Sequence, residues 1–151
     1  MKKVMVYLGA DHAGFALKEK IKKSLISYGI KYEDLGGRGI KGDDYPDFAF
    51  KVARKVSKER NNEIDARGIL ICGTGTGMVM AANKIKGIRA AVGYDKYSVV
   101  MGRHDNDANV LCLRGKKFSS RKNLKFVKLF LNEEFSDEER HKRRLRMINN
   151  N

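Results

Sequence analysis

Several residue types that mark particular classes of protein are scarce or absent. The chain of 151 residues has no tryptophan, one proline and two cysteines. The cysteines, Cys72 and Cys112, lie far apart, which excludes the dense disulfide framework of small secreted domains. Neither cysteine belongs to a C-x-x-C pair and the three histidines are scattered, so the sequence predicts no metal site.

Long hydrophobic runs are also missing. No apolar stretch approaches the roughly 20 residues that a transmembrane helix requires. The apolar residues near the N-terminus are followed at once by Asp11 and His12, so the stretch is too short for the core of a signal peptide. We interpret it as a β-strand and expect a cytoplasmic protein.

Acidic residues are few relative to basic ones. Lysine and arginine total 32 against 18 aspartates and glutamates, which gives a net charge of +14. Such a charge can attract an anionic ligand such as a phosphate ester, or it can bind nucleic acid. Many of the lysines can equally belong to a solvated surface with no ligand.

Short apolar segments alternate with amphipathic helical patterns five times along the chain. This alternation predicts an α/β protein with a parallel sheet and right-handed crossovers. We expect one domain over residues 1–151, with a three-layer Rossmann-like or flavodoxin-like fold and a five-stranded sheet in the order 2-1-3-4-5. Pro46 is expected in the first turn of one helix, and Ser136 with Glu139 predicts a capping box at the start of the last.

The first and third predicted strands end in residues that are unusual for ordinary loops. The first ends in Gly9-Ala10-Asp11-His12 and the third in Cys72-Gly73-Thr74-Gly75. In the expected strand order these strands are neighbours at the point where strand order reverses, and ligands bind beyond the carboxyl ends of strands at such points. The two ends are therefore expected to line one crevice.

A glycine-rich run, Gly73-Thr74-Gly75-Thr76-Gly77, separates the third strand from a helix. Glycines let backbone N–H groups turn toward an oxyanion, and the helix adds its positive N-terminal end. The alternative is a tight turn without a ligand. The run is neither a P-loop nor a G-x-G-x-x-G fingerprint.

Cys72 directly precedes this run, where positive partial charge favours a thiolate. The alternative is a small buried hydrophobe, which is the usual role of cysteine and the one expected for Cys112.

His12 could contact a ligand or stabilise a turn. Arg140, Arg143 and Arg144 share one helix face, as either a guanidinium clamp for phosphate or an exposed basic surface.

Seven segments together resemble the type-B ribose-5-phosphate isomerases, a family that includes the galactose-6-phosphate isomerase subunits. The resemblance runs nearly end to end. Its segments are Gly9-Ala10-Asp11-His12-Ala13-Gly14-Phe15, Asp44-Tyr45-Pro46-Asp47-Phe48, Ile71-Cys72-Gly73-Thr74-Gly75-Thr76-Gly77, Ala81-Ala82-Asn83-Lys84, Gly87-Ile88-Arg89-Ala90, Asn106-Asp107-Ala108-Asn109-Val110 and Glu139-Arg140-His141.

The resemblance implies a metal-independent aldose–ketose isomerase of the pentose phosphate pathway. The reaction would pass through a cis-enediol, with Cys72 as the base and with Thr74 and the N–H groups of Gly73, Gly75 and Gly77 stabilising the enediolate. A phosphorylated sugar substrate, no cofactor, no nucleic acid, no membrane and a homodimer, possibly paired into a tetramer, are also implied. Further substrate contacts are implied for Asp11 and Asn106 near the sugar hydroxyls, Asp44 and Tyr45 in a pocket loop, and His12, Arg140 and Arg144 at the phosphate.

The sequence departs from the family pattern at two positions. A histidine usually precedes the Asn-Asp-Ala-Asn run and opens the sugar ring, but Asp105 stands there, with His104 one residue earlier. One helical step turns a side chain by about 100°, so Asp105 is expected in the ring-opening position and His104 is the alternative. Lys116 replaces an arginine that some members use for phosphate, which keeps the charge but loses the bidentate fork.

Two other functions remain open from sequence. A hexose 6-phosphate isomerase for allose or galactose 6-phosphate would share the chemistry and differ in pocket depth. A basic module that binds nucleic acid without catalysis would lack a reactive Cys72 and would show a steep dependence on salt.

Overall fold

A parallel five-stranded sheet lies between two layers of helices in the computed structural model, which describes residues 2–151. The strands are β1 (Lys3–Ala10), β2 (Lys31–Asp34), β3 (Ile64–Cys72), β4 (Ala90–Val92) and β5 (Val110–Arg114). The helices are α1 (Phe15–Ser27), α2 (Tyr45–Glu59), α3 (Thr76–Ala82), α4 (Lys96–His104), α5 (Ser120–Asn132) and α6 (Glu139–Asn149). The predicted α/β class is confirmed, and Pro46 lies in the first turn of α2 as expected.

Alternate residues of the central strand face opposite helical layers. Ile69 and Ile71 of β3 pack in a core with α1, α4 and α5, whereas Leu70 and Cys72 pack in a second core with α2 and α3. Successive side chains of a strand point to opposite faces, so one apolar run supplies both cores. The thiol of Cys72 therefore lies on the side of the sheet covered by α2 and α3.

The observed strand order is β2-β1-β3-β5-β4. The expected order 2-1-3-4-5 is therefore wrong for the last two strands, whose positions are exchanged. All of β5 from Val110 to Leu113 is buried, which suits an inner strand with both faces covered. The three residues of β4 are only half-buried, and short strands are typical of sheet edges. The correction places the end of β5, rather than that of β4, beside Cys72.

One lysine of α1 does not belong to the solvated face that its charge suggests. Lys18 is 1% exposed, and its Nζ donates to Asp34 Oδ1 at 2.7 Å and to the carbonyl oxygens of Gly36 and Gly37 at 2.9 and 2.8 Å. Buried charges persist only when paired and hydrogen-bonded. Lys18 thus ties the end of β2 to the glycine-rich loop that leads to α2.

The capping box expected at Ser136 is absent from the last helix, because α6 begins at Glu139. The Ser136 hydroxyl instead lies 2.7 Å from Nδ1 of the buried His141. This contact between side chains five residues apart fixes the orientation of the imidazole.

Within residues 2–151, no helix combines the length and apolar character needed to cross a membrane.

Candidate active site

Cys72 ends β3 with its side chain 5% exposed. Its Sγ accepts a hydrogen bond from the amide of Gly75 at 3.1 Å. Gly75 has a φ of 82°, in the left-handed region where a glycine costs least, and it is the residue from which α3 starts. The backbone turn therefore directs an N–H group and the positive end of a helix toward the sulfur.

The glycine-rich run also brings α2 and α3 together. A Cβ added to Gly77 would lie 2.6 Å from the Tyr45 ring, so the ring rests directly on the glycine backbone. Asp44, the residue before α2, is exposed beside it. Thr74 is exposed, and its Oγ1 accepts a hydrogen bond from the Thr76 amide at 3.2 Å.

Asp11 and His12 follow β1 on the neighbouring strand end. Asp11 is buried, and its Oδ1 accepts hydrogen bonds from the amides of Ala13 and Gly14 at 2.9 and 3.1 Å. His12 is half-buried, with its Nδ1 2.8 Å from Asp43 Oδ1. The His12 amide donates to the same oxygen at 2.8 Å, so Asp43 fixes both the ring and the backbone.

Asp43 was missed by the sequence analysis, which singled out only the next residue, Asp44. The one sequence feature that points to Asp43 is its position directly before the Asp-Tyr-Pro segment. The contact with His12 spans 31 residues of chain and depends on how the glycine-rich loop folds back.

Lys116 joins these residues because β5 is the neighbour of β3. The Gly115 amide donates to the Cys72 carbonyl at 2.7 Å, and the Lys116 amide donates to the Gly73 carbonyl at 3.2 Å. We call the predicted residues at this end of the sheet the carboxyl-edge group: Asp11, His12, Asp44, Tyr45, Cys72, Gly73, Thr74, Gly75, Gly77 and Lys116.

The remaining predicted residues lie elsewhere in the chain. Asp105 and Asn106 follow α4 and precede β5, and Arg140 and Arg144 belong to α6, whose start packs on the end of α4. We call these four the amino-edge group. In the sheet, Cys72 of β3 pairs with Arg114 at the end of β5, and Gly68 of β3 pairs with Val110 at the start of β5. The start of β5, which Asp105 and Asn106 precede, is thus four residues or about 13 Å from the level of Cys72. The two groups therefore do not meet within one chain.

Asp105 is held by two imidazoles. Its Oδ1 lies 2.7 Å from His104 Nδ1 and 3.6 Å from His141 Nε2. The hydrogen bond to His104, followed by the nearby charges of His141 and Arg140, lowers the pKa of Asp105 below its ordinary value. Asp105 is therefore ionised near neutral pH and can accept a proton more readily than donate one.

The two arginines are exposed on the outer surface of α6. Arg140 Nε donates to Glu138 Oε2 at 2.7 Å, and the side chain is 59% exposed. Both guanidinium groups are thus accessible to an anion approaching from outside the chain. Neither arginine is hydrogen-bonded or ion-paired to a residue of the carboxyl-edge group in this chain.

Comparison with known proteins identifies the family. The sequence profile described as Ribose/Galactose Isomerase matches residues 6–148. The chain belongs to the ribose/galactose isomerase family. It is 41% identical over 144 residues to a probable ribose-5-phosphate isomerase B of Mycoplasma genitalium, covering 95% of this chain and 92% of that protein.

Two solved members of the ribose/galactose isomerase family share the fold along nearly their whole length. Ribose-5-phosphate isomerase B from Mycoplasma genitalium, with bound ribulose-5-phosphate, superposes with a TM-score of 0.92 at 39% identity and covers 99% of this chain and 97% of that one. The ribose 5-phosphate isomerase of Thermotoga maritima gives 0.90 at 40% identity, with 98% and 99% covered.

Proposed function

We propose that this protein interconverts D-ribose 5-phosphate and D-ribulose 5-phosphate without a metal. The observation that carries the proposal is the Cys72 sulfur held by the Gly75 amide at the carboxyl edge of the sheet. Family membership and the ribulose-5-phosphate bound by the relative from Mycoplasma genitalium support the same conclusion.

Cys72 is the base that moves a proton between C2 and C1 of the open-chain sugar. Removing the C2 proton of the aldose places negative charge on the C1 oxygen of a cis-enediolate. We place Thr74 and the N–H groups of Gly73 and Gly77 around the position where that charge develops, whereas the Gly75 N–H holds the Cys72 sulfur. Such donors contribute about 2.7–4 kcal/mol each in other enzymes, so a Lewis acid is not needed.

The other predicted residues bind the substrate around this centre. Lys116, His12, Arg140 and Arg144 supply positive charge for the phosphate, and arginine's planar fork suits phosphate oxygens. Asp43 keeps the His12 ring in place through its Nδ1, which leaves Nε2 for the substrate. Hydroxyl groups of the sugar are bound by Asp11, Asp44, Tyr45 and Asn106.

Ring opening is the task of the His104–Asp105 pair. Because Asp105 is ionised and bonded to His104 Nδ1, it orients the imidazole and leaves Nε2 as the atom that exchanges a proton with the ring oxygen. His104 is 37% exposed and is therefore accessible to a ligand. The carboxylate at position 105 and the histidine before it together replace the single histidine typical of the family.

The working enzyme is a homodimer, because one chain holds the carboxyl-edge and amino-edge groups at opposite ends of its sheet. A two-fold axis presents the same surface of each copy to the other, so it can pair the carboxyl-edge group of one with the amino-edge group of the other. A cavity of about 370 Å³ beside β4 has a mixed lining, which includes the apolar Ala91 and Ile148 and the polar Asn83, Arg89 and Asn106. Met80, Tyr97 and Ile148 are exposed at 65%, 74% and 56%. Large apolar side chains exposed to this degree are common at subunit interfaces.

Mixing two inactive variants tests this arrangement. Homodimers of Cys72→Ala and of His104→Ala each carry two damaged sites, but a mixed dimer carries one intact site if the site is shared. Denaturing and refolding an equal mixture should then restore about a quarter of the wild-type activity. If each chain builds its own site, no mixed dimer has an intact site and activity stays at the level of the variants.

The substrate is tested by direct assay. Purified protein is assayed against ribose 5-phosphate and allose 6-phosphate, with product formation coupled to a detecting enzyme. A higher kcat/KM for ribose 5-phosphate supports the proposal. A higher value for allose 6-phosphate would assign a hexose substrate, and no turnover of either would remove the isomerase assignment.

A further inference from the structure

Three potential metal ligands converge where the end of α4 meets the start of α6. His104 and Asp105 come from the end of α4, and His141 comes from the first turn of α6. The two segments are joined by the Ser136 amide, which donates to the His104 carbonyl at 2.9 Å. We call these three residues the His-Asp-His cluster.

The donor atoms have the spacing of ligands around one small cation. One nitrogen from each imidazole and one Asp105 oxygen all lie within 4.8 Å of one another. The nitrogen of His104 lies 2.7 Å and that of His141 3.6 Å from Asp105 Oδ1. Ligands of a tetrahedral zinc ion lie about 3.4 Å apart, since each is about 2.0–2.1 Å from the metal. Small side-chain rotations suffice to place one ion between them.

His141 is oriented before any ion arrives. It is 2% exposed, and its Nδ1 lies 2.7 Å from the Ser136 hydroxyl, which leaves Nε2 directed at Asp105. Metal-binding histidines usually bond their second nitrogen in this way, and the bond fixes the ring. A buried imidazole with one nitrogen held and the other aimed at a carboxylate is the strongest sign of a ligand site here.

The donor types favour zinc over magnesium or calcium. Two imidazoles and one carboxylate suit Zn²⁺ and its transition-metal neighbours, whereas Mg²⁺ and Ca²⁺ prefer oxygen ligands. His104 and Asp105 are 37% and 40% exposed, which leaves the fourth position open to water. The nearby positive charge of Arg140 is paired with Glu138.

We propose that His104, Asp105 and His141 form a binding site for Zn²⁺ or a similar divalent transition-metal ion, and that the bound ion inhibits the isomerase. Binding would take His104 Nδ1 and Asp105 Oδ1 out of their mutual hydrogen bond and release the shared proton to solvent. The pair could then no longer open the sugar ring. The inhibition rests on the proposed function, whereas the binding site does not.

Titration calorimetry with zinc chloride tests the site. Metal-free protein should bind one ion per chain, and so should Cys72→Ala, because the thiol is not a ligand. His141→Gln and His104→Ala should each weaken binding at least tenfold, and the exposed position of His104 makes its variant safe for folding. His12→Asn is the matched control, because His12 belongs with Asp11 and Asp43 to the second group of potential metal ligands; the affinity of the His-Asp-His cluster should stay at the wild-type value in this variant.

Binding that is unchanged in both His104→Ala and His141→Gln would overturn the site. Loss of binding in His12→Asn would move it to the other histidine, and loss in Cys72→Ala would move it to the thiol. The absence of binding to wild-type protein at micromolar zinc would remove it altogether. These outcomes do not require that the protein be an isomerase.

The inhibition is tested separately. Zinc at saturation should lower turnover of ribose 5-phosphate at least tenfold, and EDTA should restore it. Exchange of the C1 hydrogen of ribulose 5-phosphate with solvent deuterium should continue, since it needs Cys72 but no ring opening. If zinc stops exchange and turnover equally, the ion acts on the thiol and the proposed inhibition is wrong.

Discussion

The amide of Gly75 donates a hydrogen bond to the sulfur of Cys72 at 3.1 Å, three residues back along the chain. This contact exists because Gly75 adopts a left-handed φ of 82°, which ends β3 and begins α3 in one turn. A side chain at position 75 would strain that turn and approach the Leu113 backbone at 3.3 Å. A glycine at position 75 is therefore needed both for the turn and for the hydrogen bond to the Cys72 sulfur.

We expect Cys72→Ala to lower kcat by about 10²–10⁴-fold, the usual contribution of a general acid or base. The fold should persist, because the side chain is small and lies at a strand end. Steady-state kinetics and circular dichroism measure the two effects. Near-normal turnover would exclude Cys72 as the base.

Alkylation distinguishes the two cysteines by the reactivity of their thiols. Cys112 is fully buried in β5, and burial raises the pKa of its thiol well above the ordinary value, so it is a poor nucleophile. Iodoacetamide should inactivate wild-type protein and Cys112→Ala alike, with a single modified residue, Cys72, found by mass spectrometry. Inactivation by modification of Cys112 would contradict this assignment.

Much of the carboxyl-edge group could be predicted from local sequence. Apolar runs give the strands, and the residues that follow β1 and β3 must meet because parallel neighbours end at the same edge. The order of β4 and β5 could not be read this way, because both are short apolar segments and their places depend on how deeply each is buried. The burial of Lys18 could not be predicted, because a lysine is normally exposed and only the fold brings Asp34 and two carbonyl groups to it.

Contacts near the amino-edge group could not be predicted from the sequence either. Sequence spacing gave no metal cluster because His104 and His141 are far apart in the chain, and it gave no role to Asp107. In the structure, Asp107 receives hydrogen bonds from Arg60, Arg89 and Arg103. Such a contact set depends on three separate elements, so no local pattern reports it.

Replacing Asp107 by asparagine should destabilise the fold by about 3–5 kcal/mol, because removing one partner leaves buried charges uncompensated. Arg103 is 3% and Arg89 15% exposed, so solvent cannot take over the role of the carboxylate. Urea denaturation measures the free energy of unfolding. Asp137→Asn is a matched control with a similar positive φ, 57° against 45°, but with 76% exposure. It should change stability by less than about 1 kcal/mol.

Alanine at Arg140 or Arg144 should mainly raise KM, since a phosphate contact persists from the ground state to the transition state. The expected increase is about tenfold or more for each variant, equivalent to at least about 1.4 kcal/mol of binding. Arg146→Ala on the same helix is the control, because Arg146 lies near Glu139 instead. Unchanged KM in both test variants would make these arginines part of a solvated surface.

Incubation with EDTA should not lower the activity, because a thiolate base in a pocket lined with N–H groups needs no metal. Protein that carries zinc at the His-Asp-His cluster should instead gain activity when the chelator is added. Steady-state assays before and after dialysis against EDTA measure either effect. A loss of activity that a divalent metal restores would contradict the proposed chemistry.

The last prediction concerns ring opening. His104→Ala should lower kcat for ribose 5-phosphate by about 10²-fold, since it removes the proton donor, and Asp105→Asn should lower it less, since it removes only the orienting carboxylate. Ribulose 5-phosphate is always open-chain, so deuterium exchange at its C1 in heavy water bypasses the ring. Both variants should therefore retain exchange near the wild-type rate.

The comparison of exchange with net turnover distinguishes the alternatives. A larger loss in Asp105→Asn than in His104→Ala would return the proton-transfer role to Asp105, which occupies the family's ring-opening position in sequence. Equal losses of exchange and turnover would place both residues at the enediolate or in substrate binding. Unchanged turnover in both variants would mean that the ring opens without either residue. Only a selective loss of turnover, greatest in His104→Ala, agrees with an ionised Asp105 that holds His104 Nδ1 at 2.7 Å.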